Sequence, residues 1–220
     1  MSSLTEPLTV DVVSDIVCPW CYIGKRRLEA ALAERGTAAT VRWHPFQLNP
    51  EIPRGGVDRR GYLERKFGGP EGAREVYGRV QAAGRDAGVW FEFDRIERQP
   101  NTLDAHRLIA WAQRLIPAKT SGLVERLFRA YFTQGLDIGN VEELARLAGQ
   151  AGYDAYRATA MLTTDDGRAG VVAADQRARA MGVGGVPLFI FNQRRAVSGA
   201  QPSAVLLEAM HQSEVAVITR

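Results

Sequence analysis

Cys18 and Cys21 are the only cysteines in a chain of 220 residues, three positions apart in Val17-Cys18-Pro19-Trp20-Cys21-Tyr22. Thiols at that spacing can exchange a disulfide, supply half of a zinc site or close a small structural bridge. Zinc wants four ligands, usually as two close pairs. His44, His106 and His211 lie far apart and form no His-x(3-5)-His pair with which the cysteines could complete a set, so no metal is expected. A bridge between positions three apart closes a very short loop and removes little entropy from the unfolded chain. The spacing favours the redox reading.

The flanking segments show how the pair would be held. Leu8-Thr9-Val10-Asp11-Val12-Val13 is rich in β-branched residues and bounded by turn formers, which predicts a strand of the parallel-sheet kind. From Lys25 to Arg35 the apolar positions Leu28, Ala31 and Leu32 recur at helical spacing, and Gly36 supplies the stop. The Cys-x-x-Cys therefore opens a helix, with Pro19 at the first helical position, where a missing N–H costs nothing. Free N–H groups and the helix dipole favour an anion at that end, by about 0.3–1 kcal/mol from the dipole alone. Cys18 is accordingly the expected nucleophile and Cys21, one turn on, the resolving thiol.

Composition excludes several other classes of function. With 45% hydrophobic residues the chain can bury a full core without staples. No stretch approaches a membrane span, and Met1 to Pro7 has neither a basic region nor an apolar core of the secretory kind. A soluble, cytoplasmic protein is expected, where a disulfide is more often catalytic than structural. The net charge of +3 comes mostly from arginines scattered among acids, since only Lys25, Lys66 and Lys119 are lysines. No basic stripe interleaved with aromatics points to nucleic acid.

Along the chain, Thr40 to His44 reads as a second strand whose end or edge position is marked by Pro45. Helices are predicted over 59–67, 71–87, 103–115, 122–134, 141–151, 153–162 and 165–181, with Phe91-Glu92-Phe93 as a short extended exception. Thr163 and Thr164 are expected to cap the last of these. Gly182 to Pro187 breaks the pattern, Leu188 to Phe191 is a buried strand, and Arg195 to Gly199 is its hairpin partner. A final helix opens at Pro202. The order predicts an α/β chain, a thioredoxin fold interrupted by a large all-helical insertion domain. Residues 1–56 and 165–220 form the thioredoxin-like domain and 57–164 the insertion.

The motifs Ser14-Asp15-Ile16-Val17-Cys18-Pro19-Trp20-Cys21-Tyr22-Ile23-Gly24 and Gly184-Gly185-Val186-Pro187 resemble the DsbA-like thioredoxin superfamily, and more closely its cytoplasmic FrnE-like branch of dithiol-disulfide oxidoreductases. Pro45 to Pro50, Asn101 to Arg107 and Ser198 to Gln201 support the resemblance, which runs nearly end to end. It implies that a cis Pro187 faces the cysteines and that Val186 pairs with an extended substrate. Kappa-class glutathione transferases and 2-hydroxychromene-2-carboxylate isomerases are similar, but typically carry serine where this chain has Cys18. Serine cannot form a mixed disulfide. Those relatives also carry an acidic turn for glutathione where this chain reads Ser198-Gly199-Ala200-Gln201.

The expected function is thiol–disulfide exchange on protein or small-molecule substrates, with Cys18, Cys21 and Pro187 catalytic and Pro19, Trp20 and Val186 touching the substrate. A glutathione-dependent transferase or isomerase is the alternative. No cofactor is expected beyond the redox-active disulfide, with glutathione a candidate co-substrate, and a homodimer is compatible with the sequence. Asp15 reads as a turn residue that can also relay protons to Cys21. Asn101 and Thr102 read as caps of the helix that carries His106, with Asp15, Asn101 and His106 held as candidate site members. His44 has no identifiable partner. Of the insertion aromatics Tyr62, Phe67, Tyr77, Trp90 and Trp111, at least one should face Cys18.

Overall fold

The computed structural model describes residues 7–215. Strand β1 (Leu8–Ser14) pairs parallel with β2 (Ala39–Pro45) and antiparallel with β5 (Leu188–Phe191), and β5 pairs antiparallel with β6 (Arg195–Ser198), giving the order β2-β1-β5-β6. The right-handed crossover preference and the tight Asn192-Gln193-Arg194 turn account for the two connection types. Pro45 ends the edge strand, where its missing N–H breaks no ladder bond.

Alternation along β1 sends successive side chains to opposite faces. Leu8, Val10 and Val12 join the cluster of helix α1 (Pro19–Arg35) and helix α9 (Ser203–Val215), which includes Ile23, Leu28, Leu206 and Met210. Val13 instead packs with Phe46 and with Ala178 of α8 (Arg168–Ala180). The sheet is thus covered on both sides, which is why β1 reads as a nearly continuous apolar run.

Between β2 and α8 run α2 (Arg59–Phe67), α3 (Pro70–Asp86), α4 (Leu103–Leu115), α5 (Pro117–Gln134), α6 (Val141–Gln150) and α7 (Ala155–Leu162). A two-residue ladder, β3 (Val57–Asp58) with β4 (Arg98–Gln99), lies within this helical run. Leu108, Leu123, Leu127, Phe128 and Leu144 of the helical segment belong to the same core cluster as β1 and α1.

Several local expectations are corrected. Phe91-Glu92-Phe93 pairs with no strand; Phe93 instead opens a 3-10 turn, and the extended residues are Arg98–Gln99. Helix α5 starts at Pro117, over a turn before Gly122, because proline is well placed at a first helical position. Thr163 and Thr164 do not cap α8: Thr163 closes α7, and Gly167 stands at the start of α8 with φ of 75°, a left-handed conformation suited to glycine. Thr102 occupies the cap position of α4 without a side-chain bond, and Asn101 Oδ1 accepts from the Leu103 N–H at 2.9 Å.

Candidate redox site and its surroundings

Cys18 sits at the N-cap of α1 in an extended conformation, with Pro19 first in the helix. Its N–H donates to the Asp15 carbonyl at 3.0 Å, and its own carbonyl accepts from the Cys21 and Tyr22 N–H groups at 3.0 and 3.3 Å. The turn that follows β1 thereby delivers both sulfurs to one end of the helix. Both thiols are free, with Cys18 5% and Cys21 2% exposed. Trp20 between them is 39% exposed, at the surface beside the thiols.

The Val186–Pro187 peptide bond is cis. Cys18 Sγ donates to the Val186 carbonyl at 3.7 Å, so this loop lies directly over the first thiol. Gly24, on the next turn of α1, makes the approach feasible: a Cβ there would stand 2.9 Å from Pro187 Cγ and 3.0 Å from Phe189 Cζ.

The thiols are not equivalent. Burial pushes the Cys21 thiol well up, and the neighbouring Cys18 adds to this, while Ser14 and the Asp15 backbone oppose it. Ser14 Oγ is buried with no hydrogen-bond partner among the described residues.

Asp15 is fully buried; its Oδ2 accepts from the Leu48 N–H at 2.7 Å and its Oδ1 faces His106 Nε2 at 3.3 Å. His106, on α4, is buried too and reaches the site only through this carboxylate. Asn101 is placed away from the thiols: it accepts from Gln47 Nε2 at 3.2 Å and donates to the Ile52 carbonyl at 2.6 Å. Together with the Gln47 N–H bonded to Asp175 at 2.8 Å, these bonds brace the Pro45 to Pro53 loop beside the active end of α1. His44, expected to be without a partner, faces Asp11 Oδ1 at 2.8 Å; parallel register sets β1 and β2 side by side, which spacing along the chain does not show.

Residues that sequence reasoning passed over hold α1 against the helical segment. Lys25, 1% exposed, donates to Glu125 Oε2 of α5 at 2.6 Å and to Glu29 at 2.5 Å, while Tyr22 Oη donates to Glu125 Oε1 at 2.9 Å. Burial works against the Glu125 carboxylate, but Lys25, the Tyr22 hydrogen bond and Arg26 leave it below its usual range. The Tyr22 ring stacks on Phe128 at 5.0 Å between centroids, an arrangement worth about 0.5–1.5 kcal/mol beyond area burial. Only helical periodicity, which puts Tyr22, Lys25 and Glu29 on one face, hinted at this. Arg107 is likewise buried, donating to Asp104, to Met161 O at 2.8 Å and to Asp166 O at 2.9 Å, where it ties the end of α7 to α4.

A groove of about 310 Å³ opens at Cys18, with Trp20, Val186, Tyr62, Phe67 and Tyr77 among its walls. Three insertion aromatics thus share this groove with Cys18. Trp90 is exposed, and Trp111 is buried near Tyr153. Among the described residues no helix is long and apolar enough to cross a membrane, and no cluster of three or more His, Cys, Asp or Glu could hold a metal ion.

Residues 9–211 match the model of the DSBA-like thioredoxin domain. A crystal structure of a probable DsbA oxidoreductase from Streptomyces coelicolor is similar with a TM-score of 0.85 and 30% identity, covering 97% of this chain and 92% of that one. The cytosolic disulfide reductase DsbM from Pseudomonas aeruginosa shares the fold at a TM-score of 0.63 and 19% identity, over 95% of this chain and 96% of that one. Among curated sequences, the uncharacterized protein YwbO of Bacillus subtilis is 28% identical over 145 residues, and the match spans 66% of each protein, just under two thirds. The chain belongs to the DSBA-like thioredoxin domain family.

Proposed function

We propose that the protein is a thiol–disulfide oxidoreductase acting through Cys18 and Cys21. The observation that carries this reading is the asymmetry of the two thiols: Cys18 stands at the helix N-terminus beside Val186, whereas burial holds the proton on Cys21. The thiolate of Cys18 attacks a substrate disulfide, forming one S–S bond and releasing one substrate thiolate. Cys21 then loses its proton and attacks Cys18, which frees the second substrate thiolate and leaves the enzyme disulfide. Two electrons pass to the substrate, and the reverse sequence oxidises a dithiol. Pro19 and Trp20 flank the attacked sulfur, and Val186 offers its backbone to an extended partner, with Pro187 shaping that loop.

In this reading residues 57–164 form the part that sets substrate choice, since Tyr62, Phe67 and Tyr77 lie in the groove and the segment holds no thiol. Asp15 and His106 position the turn before Cys18. A cytoplasmic location is part of the proposal.

Insulin reduction by dithiothreitol is the direct test. Cys18→Ser should abolish turnover and Cys21→Ser should trap a covalent mixed disulfide. Iodoacetamide should label the reduced protein first at Cys18. Labelling at Cys21 first, or turnover surviving in Cys18→Ser, would overturn the assignment, and the second result would bring back the glutathione-dependent transferase or isomerase reading. A measured reduction potential assigns the direction.

A further inference from the structure

The groove at Cys18 has an electrostatic asymmetry that the exchange chemistry leaves unused. Its walls are apolar, aromatic or neutral apart from one side chain, Lys66, and no aspartate or glutamate lines it among the described residues. Lys66 stands in the last turn of α2. Its Nζ donates to Tyr62 Oη at 2.8 Å and lies 5.3 Å from the centre of the Tyr62 ring and 5.9 Å from that of Phe67. Tyr62 Oη in turn donates to Asn49 Oδ1 at 2.6 Å, on the loop that also carries Leu48.

This relay matters because a lysine side chain normally keeps several rotamers and a full hydration shell. Here two aromatic faces and one hydroxyl hold the ammonium, using one of its three N–H bonds. Glu64, the acid of the same helix, is engaged with Arg60 at 3.0 Å, and among the described residues no carboxylate forms an ion pair with Lys66. A placed cation without a counter-charge, in an otherwise uncharged groove that ends at a reactive sulfur, selects for charge in what binds there.

We propose that Lys66 makes the protein prefer thiol and disulfide substrates that carry a carboxylate close to the reacting sulfur. The rest of such a substrate would lie against the aromatic wall. The shared chemistry is a carboxylate beside a sulfur, whether on a small acidic thiol or on an acidic protein segment. This inference rests on the exchange reaction proposed above and adds its substrate class.

The test compares three small disulfides: 3,3′-dithiodipropionate, which carries carboxylates, neutral bis(2-hydroxyethyl) disulfide, and cationic cystamine. Intrinsic differences between probes cancel when ratios are compared across variants. The ratio of anionic to neutral exchange rates should fall about 2–5-fold in Lys66→Gln, the scale of a solvent-facing charge pair, survive in Lys66→Arg, and shift towards cystamine in Lys66→Glu. High salt should narrow the preference of the unmodified protein. A parallel pair of disulfide peptides, differing only in Glu or Lys beside the half-cystine, distinguishes an acidic protein segment from a small acid as the source. If Lys66→Gln and Lys66→Glu leave every ratio within twofold, Lys66 serves only the C-terminal turn of α2 and the inference fails. Failure of the unmodified protein to exchange any of the three probes would remove the redox reading itself, and this inference with it.

Discussion

Cys21 must give up a proton to finish a cycle, yet its surroundings oppose that loss, chiefly by burial. Release of a mixed disulfide should therefore keep accelerating as pH rises beyond the ordinary thiol range of about 8.5. The neighbouring Ser14 works the other way. Ser14→Ala should slow resolution at neutral pH about 2–10-fold, equivalent to one net hydrogen bond. Stopped-flow measurement of the second thiolate released, with the first release as internal control, checks this. The same shift has a sign for stability. A thiol whose pKa is raised by folding stabilises the reduced protein fully below the unfolded value, and that contribution fades as pH climbs towards the folded value. Urea melts of the reduced protein at pH 7 and 9.5 should show a loss that Cys21→Ser reduces.

The active-site helix is held at two places, and each can be perturbed. Gly24 leaves room for Pro187 and Phe189 at 2.9 and 3.0 Å from the position of an added Cβ. Gly24→Ala gains helix propensity but overpacks this contact, so it should destabilise by about 1–3 kcal/mol and slow exchange by displacing the loop that faces Cys18. Thermal melts and exchange rates report the two effects separately. On the opposite side, Glu125 holds Lys25 and Tyr22. Glu125→Ala leaves Lys25 with Glu29 alone and should cost about 1.5–3 kcal/mol, the range for hydrogen bonds to charged groups. Because folding lowers the Glu125 pKa, its contribution is present above the unfolded carboxylate range and is lost as pH falls through the folded value. Denaturant midpoints at pH 7 and 3.5 should converge for Glu125→Ala relative to the unmodified protein.

At the scale of the whole molecule, the helical segment reaches the turn before Cys18 by shape and by the buried Asp15–His106 pair. His106 faces Asp15 at 3.3 Å, and both side chains are almost wholly inside. His106→Gln should keep exchange with small disulfides within about tenfold, a barrier change under about 1.4 kcal/mol, while lowering stability. A loss of 10²-fold or more with the fold intact would belong to general acid–base catalysis and would put His106 among the catalytic groups.

The positions of both thiols relative to a helix start were legible in the residues themselves, because proline at a first turn, periodic Leu28, Ala31 and Leu32, and the β-branched run before Ser14 are local signals. The boundaries of α2 and α4 and the Leu188–Phe191 strand were readable for the same reason. Signals that depend on competition between neighbours misled: Thr163 and Thr164 are good caps in isolation, yet α7 claims Thr163 and Gly167 begins α8. Pairings across large separations were invisible to spacing, among them Lys25 with Glu125, Asp15 with His106, His44 with Asp11 and Tyr62 with Asn49. Residue types and periods along the chain determined the redox chemistry to expect and the helix that carries it. Which buried partners hold that helix, and which side chains share a groove with its sulfur, were decided by tertiary packing, since charge and hydrogen-bond energies depend on distances that only the folded chain sets.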